Sequence, residues 1–120
     1  MGARRLDSLF GVLDERRGFA RVPLGVGVTI WSASRHAQLV ASDISEGGIS
    51  VLVDPDAPFP HGTEVMMSLA VNGRMVGALG RVRWTRGPRG GAVSMGIEFE
   101  PLNEADRAIV AGHCARRALA

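Results

Sequence analysis

The sequence predicts a mainly β domain, a small antiparallel barrel or sandwich followed by a C-terminal helix. Three observations favour this class. The 120 residues are enough for one domain with one modest core. Short apolar runs, separated by turn residues every 8–12 positions, occupy most of residues 26–100, as is typical of small antiparallel β proteins. The apolar period becomes helical after residue 102.

The first predicted element is a short helix or arm over residues 1–14, ahead of a domain over residues 15–120. Its apolar residues recur at i, i+3, i+4 and i+7, the spacing of one helix face: Leu6, Leu9, Phe10 and Leu13. Pro23 excludes a helix where it stands and favours an extended residue before it. Strands are then expected near residues 26–30, where Val26, Val28 and Ile30 alternate with small residues, and near residues 39–44 and 49–53.

Turn residues delimit the remaining strands. The stretch 54–62 contains three prolines, which predicts a loop. Asn72-Gly73 lies between apolar runs at 64–71 and 74–85, and this dipeptide suits a hairpin turn whose two central residues need positive φ. The Gly- and Pro-rich stretch 87–91 precedes a last strand near 93–99.

The C-terminal segment has the end signals of a helix. Asn103 is a good N-cap, acidic residues follow in the first turn, and Arg116 and Arg117 stand in the last turn, an order that suits the helix dipole. We expect this helix to lie against the barrel through a side of small residues: Ala105, Ala108, Ile109 and Gly112.

Net charge says less about function than the distribution of charge does. The chain carries +2 and a pI near 9.9, but all fourteen basic residues are Arg and there is no Tyr, so few groups titrate above neutral pH and the pI does not indicate nucleic-acid binding. Residues 36–73 carry five acids and no Arg, whereas residues 74–89 carry five Arg and no acid. Such blocks favour opposite-charge pairs across strands.

The sequence also argues against a membrane protein and against an enzyme. No apolar run approaches the ~20 residues of a membrane span, and a single Cys, Cys114, fits a reducing cytoplasm. His36, His61 and His113 lie on unrelated segments without metal-ligand spacing, and no catalytic motif is present. We therefore expect no catalysis, no metal and no cofactor, and a purely structural Cys114.

Two motifs stand out. Arg17-Gly18-Phe19-Ala20-Arg21, with Arg16 before it, places two Arg four residues apart, and Asp43-Ile44-Ser45-Glu46-Gly47-Gly48 crosses from a strand into a turn. Asp43 and Ser45 share a strand face, and because a buried carboxylate is costly, we expect that face to point outward. The pair either caps the turn or meets an anionic, guanine-bearing ligand, which the fork of Arg can bind at phosphate or at guanine O6/N7.

In this combination the sequence resembles PilZ domains, the bacterial receptors for cyclic di-GMP. Further similarity lies at residues 15–24, at Gly80-Arg81-Val82-Arg83-Trp84 and at Gly96-Ile97-Glu98-Phe99, so the resemblance covers roughly residues 15–117. It implies a six-stranded antiparallel β-barrel with a C-terminal α-helix.

The resemblance also implies roles for individual residues. Arg17 and Arg21 would grip the phosphates and guanines, Asp43 and Ser45 would hydrogen-bond the ligand, and Gly48 would permit close backbone approach. Arg16 would accompany an intercalated dimer of cyclic di-GMP. Trp84 has two interpretations, a core aromatic that fills the barrel, which is the favoured one, or a ring that reaches a base.

The expected function is therefore that of a cytoplasmic cyclic di-GMP receptor whose arm changes conformation on binding and signals to an unidentified partner protein. The alternative is a PilZ-like interaction adaptor that does not bind the nucleotide. A small RNA-binding barrel is disfavoured, because an aromatic content of 5% leaves few rings for stacking bases.

Overall fold

The computed structural model describes residues 21–87 and 93–119, and within them the chain forms six strands and one helix. The predicted helix over residues 6–13, together with Arg16 and Arg17, lies outside the described residues. In chain order the elements are β1 (Val22–Trp31), β2 (His36–Ser45), β3 (Gly48–Val53), β4 (Glu64–Val71), β5 (Arg74–Arg86), β6 (Val93–Phe99) and α1 (Glu104–Leu119).

The six strands close into one antiparallel barrel in the order β1-β2-β3-β6-β5-β4, with β4 pairing back to β1. This confirms the predicted six-stranded barrel with a C-terminal helix. Closure gives every described strand two neighbours, which shortens the free edges, although β1 pairs with β4 only over residues 28–31 and β5 pairs with β6 only from Gly80 onward.

The barrel interior is filled by alternate residues of each strand. On β3 the inward residues are Ile49, Val51 and Val53, and on β6 they include Met95 and Ile97. Burying these branched and long apolar side chains supplies the main favourable term in folding, at about 25 cal/mol for each Å² removed from water.

The hairpin predicted at Asn72-Gly73 is confirmed. Both residues have positive φ, 53° and 75°, and Val71 pairs with Arg74 across the turn. Asn tolerates this left-handed region better than most residues, because its short polar side chain can bond locally, and Gly has no Cβ to clash.

The Pro-rich segment between β3 and β4 is a loop, as predicted, and it also closes one end of the barrel. Phe59 from this loop is almost fully buried in the core. Arg35, in the turn between β1 and β2, lies over the Phe59 ring at 4.0 Å and donates a 2.9 Å hydrogen bond to the Ala57 carbonyl oxygen. These two contacts fix the loop on the barrel.

Helix α1 begins where the sequence predicts. The Asn103 side-chain oxygen accepts a 2.7 Å hydrogen bond from the Asp106 N–H, which satisfies one of the donors left open at a helix start. The predicted contact side is confirmed only in part, because Ile109 packs against the core but two of the predicted residues do not. Ala105 and Ala108 are exposed. The buried side is formed by Val110, His113 and Cys114.

The buried side of α1 joins three parts of the barrel. The ring nitrogens of His113 lie 3.2 Å from Asn72 Oδ1 in the β4–β5 turn and 3.4 Å from the Pro23 carbonyl oxygen at the start of β1. The Cys114 thiol lies 3.9 Å from the carbonyl oxygen of Ile44 at the end of β2. The helix therefore holds the beginning of β1 and the end of β2 together.

Candidate functional site

Arg21 and Asp43, one from each of the two motifs, form an ion pair on the outer face of the barrel. Arg21 Nη2 and Nε lie 3.0 Å and 3.3 Å from Asp43 Oδ1, and Nη2 also donates to Ser50 Oγ at 2.5 Å. The Arg21 side chain is largely buried and that of Asp43 is about one-third exposed. The second Arg of the first motif and the Asp of the second are thus in direct contact.

Strand pairing explains why these side chains meet. Arg21 directly precedes β1, whose Pro23 pairs with Asp43 on β2, and Asp43 in turn pairs with Ser50 on β3. The β2–β3 register shifts between Ala41 and Asp43, so that Asp43 does not share the inward face of the fully buried Ala41. This bulge turns the carboxylate outward, which agrees with the expectation from the cost of a buried charge.

Ser45 caps the turn between β2 and β3. It pairs with Gly48 across the short turn from β2 to β3, and its Oγ accepts a 3.1 Å hydrogen bond from the Gly47 N–H. Alternation about the buried Ile44 gives Ser45 the outward side that it shares with Asp43, as expected, but its side chain is covered and only 1% of the residue is exposed. Gly48, the first residue of β3, is also buried.

Trp84 does not fill the barrel, and the prediction of a core aromatic is wrong. The β5–β6 register shifts between Val82 and Trp84, so Val82 points inward while Trp84 pairs with Gly96 on the outer side. A Cβ at Gly96 would collide with the indole ring, which shows that the ring lies flat on β6. The extra residue, Arg83, breaks the alternation that would have put residue 84 inside.

Together these residues form a continuous row across the outside of four strands, which we call the outer row. Its neighbours are in register: Asp43 of β2 with Ser50 of β3, Ser50 with Gly96 of β6, and Gly96 with Trp84 of β5. Arg21 lies over one end. At the other end the guanidinium carbon of Arg86 lies 4.4 Å from the centroid of the Trp84 ring.

Charge is compensated in and beside the outer row. Glu98 is nearly buried and pairs with Arg83 Nε at 2.6 Å. On the exposed surface Arg81 pairs with Glu64 of β4, also at 2.6 Å. The acidic stretch 36–73 and the Arg-rich stretch 74–89 thus meet in a cross-strand pair, as their opposite charges predict.

The described residues give little support for metal binding or for a reactive thiol. In residues 21–87 and 93–119, no three or more His, Cys, Asp or Glu side chains lie close enough together to hold a metal ion. Burial, with a smaller contribution from the negative charge of Glu46, raises the pKa of the Cys114 thiol to about 11. A thiol with this pKa is a poor nucleophile near neutral pH, as expected for a structural residue. The described helix is not long and apolar enough to cross a membrane.

Comparison with known proteins identifies the family of this chain. The sequence matches the PilZ domain over residues 15–116. This chain belongs to the PilZ domain family. PilZ domains are non-catalytic receptors for cyclic di-GMP, which confirms the expectation that the chain is not an enzyme. A search of curated proteins finds no match.

Solved PilZ structures share the fold. The inhibitor of motility MotI/DgrA of Bacillus subtilis has a TM-score of 0.77 at 22% identity over 87% of this chain, which spans 52% of that protein. The PilZ domain of YcgR from Escherichia coli, solved with cyclic di-GMP, has a TM-score of 0.67 at 11% identity, with 87% of this chain and 92% of that one covered. A PilZ domain of CeSA from a cellulose-synthesizing bacterium has a TM-score of 0.58 at 20% identity, with 81% and 96% covered.

Sequence reasoning missed part of the outer row. Ser50, Gly96 and Arg86 were not among the predicted site residues. Ser50 was open to inference, because it alternates with Ile49 and Val51, two residues that β propensity places inside. The outward turn of Trp84, and with it the use of Gly96, depends on a bulge that one sequence does not reveal.

Proposed function

We propose that this protein is a cyclic di-GMP receptor that binds its ligand over the outer row. One observation carries the proposal: Arg21 of the first motif touches both Asp43 of the second motif and Ser50 of β3. Two sequence motifs separated by one strand thereby supply a cation and a carboxylate at one place on the surface, and Ser50 of β3 adds a hydroxyl beside them.

The chemistry of these groups suits a dianionic guanine dinucleotide. The planar guanidinium of Arg21 matches a phosphate or the O6/N7 edge of guanine, and the Asp43 carboxylate accepts hydrogen bonds from guanine N–H groups. Asp43 also holds the Arg21 side chain in place before any ligand arrives. A side chain that is already ordered loses less conformational entropy when it binds, so this ion pair favours affinity.

Residues 15–20 complete the proposed site. Arg17 stands four residues before Arg21 and would engage the second phosphate or guanine, and Gly48 would let the ligand approach the β2–β3 turn. Ser45 contributes by fixing that turn through its hydrogen bond from the Gly47 N–H. Arg16 would contact a second ligand molecule of an intercalated dimer.

The proposed output is a change in the arm. Ordering a residue costs roughly 1–2 kcal/mol of backbone entropy, so the segment that carries Arg16 and Arg17 is where the free and bound states would differ most. A partner protein would then recognise the surface that forms or disappears when the arm settles on the barrel.

Calorimetric titration with cyclic di-GMP tests the site. Wild type is compared with Arg17→Ala, Arg21→Ala and Asp43→Ala, each checked for folding by circular dichroism. Loss of one bidentate Arg contact costs about 1–3 kcal/mol, or roughly 5- to 150-fold in affinity. Arg107→Ala is the matched control, because it removes one positive charge from the exposed side of α1.

Two results would overturn the proposal. No heat from wild type at high micromolar ligand would reject the receptor function, and equal affinity in all variants would reject this site. The fitted stoichiometry addresses Arg16 separately. Two ligands per protomer, falling to one in Arg16→Ala, supports the intercalated dimer, whereas one ligand in both proteins rejects it.

A nucleotide-free adaptor is the second candidate, and one observation favours it. Asp43 and Ser45 already have structural partners, Arg21 and the Gly47 N–H, so a barrel that uses the motif only to hold its own turn would keep both residues. This candidate predicts no thermal stabilisation by cyclic di-GMP and partner binding that survives Arg17→Ala and Arg21→Ala.

A further inference from the structure

An apolar groove crosses the outside of the barrel away from the outer row. It lies over β4 and β5, beside the link from β6 to α1, and encloses about 500 Å³. Trp31, Met66 and Leu79 form its floor as a cross-strand row, since Trp31 pairs with Met66 and Met66 with Leu79. They are 39%, 52% and 56% exposed. Adjacent large apolar side chains this exposed mark an interaction surface.

The chain itself has a segment that fits this groove. Residues 6–13 carry the apolar stripe Leu6, Leu9, Phe10 and Leu13, which needs an apolar surface to cover it if it forms a helix. The groove supplies such a surface, and a helix docked there would set four stripe side chains against the three exposed floor residues and Leu102, which also lines the groove.

The length of the connecting chain allows this contact. Leu13 is eight residues before Arg21, and an extended chain of that length spans up to about 26 Å. Ser68 lines the groove and pairs with Thr29 of β1, seven residues and therefore about 23 Å along the strand from Val22. The stripe can therefore reach the groove of its own barrel without displacing β1.

Charge complementarity favours this occupant over a second copy of the chain. The acidic residue Glu100 lines the groove, and Glu104 is exposed at the adjoining start of α1. Arg4 and Arg5 directly precede the stripe and would meet these carboxylates. A second copy seated groove to groove would instead bring the same carboxylates into proximity, a like-charge arrangement that opposes association.

We propose that residues 6–13 dock as an amphipathic helix in the groove formed by Trp31, Met66 and Leu79 of the same molecule. This contact does not depend on cyclic di-GMP, so it stands or falls separately from the proposed ligand site.

Methionine methyl NMR of the full chain tests the contact. Met66 lies in the groove, and Met75, 65% exposed on β5, lies outside it and serves as the internal reference. The stripe variant Leu9→Asp/Phe10→Asp is expected to shift the Met66 methyl resonance and leave that of Met75 unchanged. Ser8→Asp/Gly11→Asp adds the same two charges on the opposite side of the helix and is expected to shift neither.

Fluorescence quenching gives a second, independent measurement. In a Trp84→Phe background Trp31 is the remaining Trp, and the stripe variant is expected to raise its acrylamide quenching constant, because docking shields the ring. Unchanged Met66 resonance and unchanged quenching in the stripe variant would overturn the proposal. Wild-type quenching that rises on dilution would also overturn it, because the cover would then be a second copy.

Discussion

A methyl group added at Gly96 would enter the space that the indole ring of Trp84 fills. The added Cβ would overlap ring atoms Cε2, Nε1 and Cζ2, so the ring must leave the surface of β6 in Gly96→Ala. Overpacking of this kind typically costs about 1–3 kcal/mol of unfolding free energy. A barrel of this size would lose about 4 °C in Tm for each kcal/mol.

A double-mutant cycle separates this clash from any general intolerance of Ala at Gly96. In a Trp84→Ala background the collision is gone, and Gly96→Ala should change stability by less than about 0.5 kcal/mol, or raise it, since Ala restricts the unfolded chain more than Gly does. Gly77→Ala is the matched control, because its added Cβ would meet only the Met67 carbonyl oxygen at 4.0 Å. Unfolding in guanidinium chloride measures all four variants.

The result that would refute the reasoning is a coupling energy near zero. If Gly96→Ala cost the same with and without the indole, the ring would not lie on β6 and the outer row would not extend to β5. If the coupling is found, Gly96→Ala should also weaken cyclic di-GMP binding, because the displaced ring would disorder one end of the proposed site.

Two further predictions concern the two ends of the barrel. Phe59→Ala is expected to lower the unfolding free energy by about 3–5 kcal/mol in chemical denaturation, because it empties a nearly fully buried ring site; a cost below about 1 kcal/mol would mean that the loop does not close the barrel. The raised pKa of Cys114 means that the folded state favours the neutral thiol, so stability present below pH 9 should be lost as the pH rises toward about 11. Cys114→Ala should lack that component of the decline in a pH series of thermal unfolding curves, and an identical decline would contradict it.

The elements of the barrel could be predicted because their signals are local. Asn72-Gly73 needs positive φ at both positions whatever surrounds it, and the Asn103 cap depends on atoms within one helical turn. Most of the contact side of α1, apart from Ile109, was missed for the opposite reason. Small residues at helical spacing suggested close packing, but Val110 and Cys114 are buried by the barrel surface beneath them, which a helix pattern alone does not show.

The candidate site could likewise be predicted only in part. The motifs predicted Arg21 and Asp43 as site residues, but their direct contact was not predicted and follows from the antiparallel pairing of β1 with β2. The orientation of Asp43 followed from the cost of burying a charge, although the bulge that produces it did not. No comparable energetic argument fixed the orientation of Trp84, since an indole ring can lie inside the barrel or on its outer surface. The extra residue in β5 places it on the outer surface.

Closure of the barrel limits how a partner can bind. Many recognition domains capture an extended peptide by adding it as a strand at a sheet edge, so that backbone hydrogen bonds supply affinity and side chains only tune it. Within the described residues β1 and β4 pair over residues 28–31 and 66–69, so no strand has an edge that is free along its whole length. We therefore expect a partner protein to bind mainly through side chains on the outer surface of the barrel, so single surface substitutions should be able to abolish the interaction without unfolding the barrel.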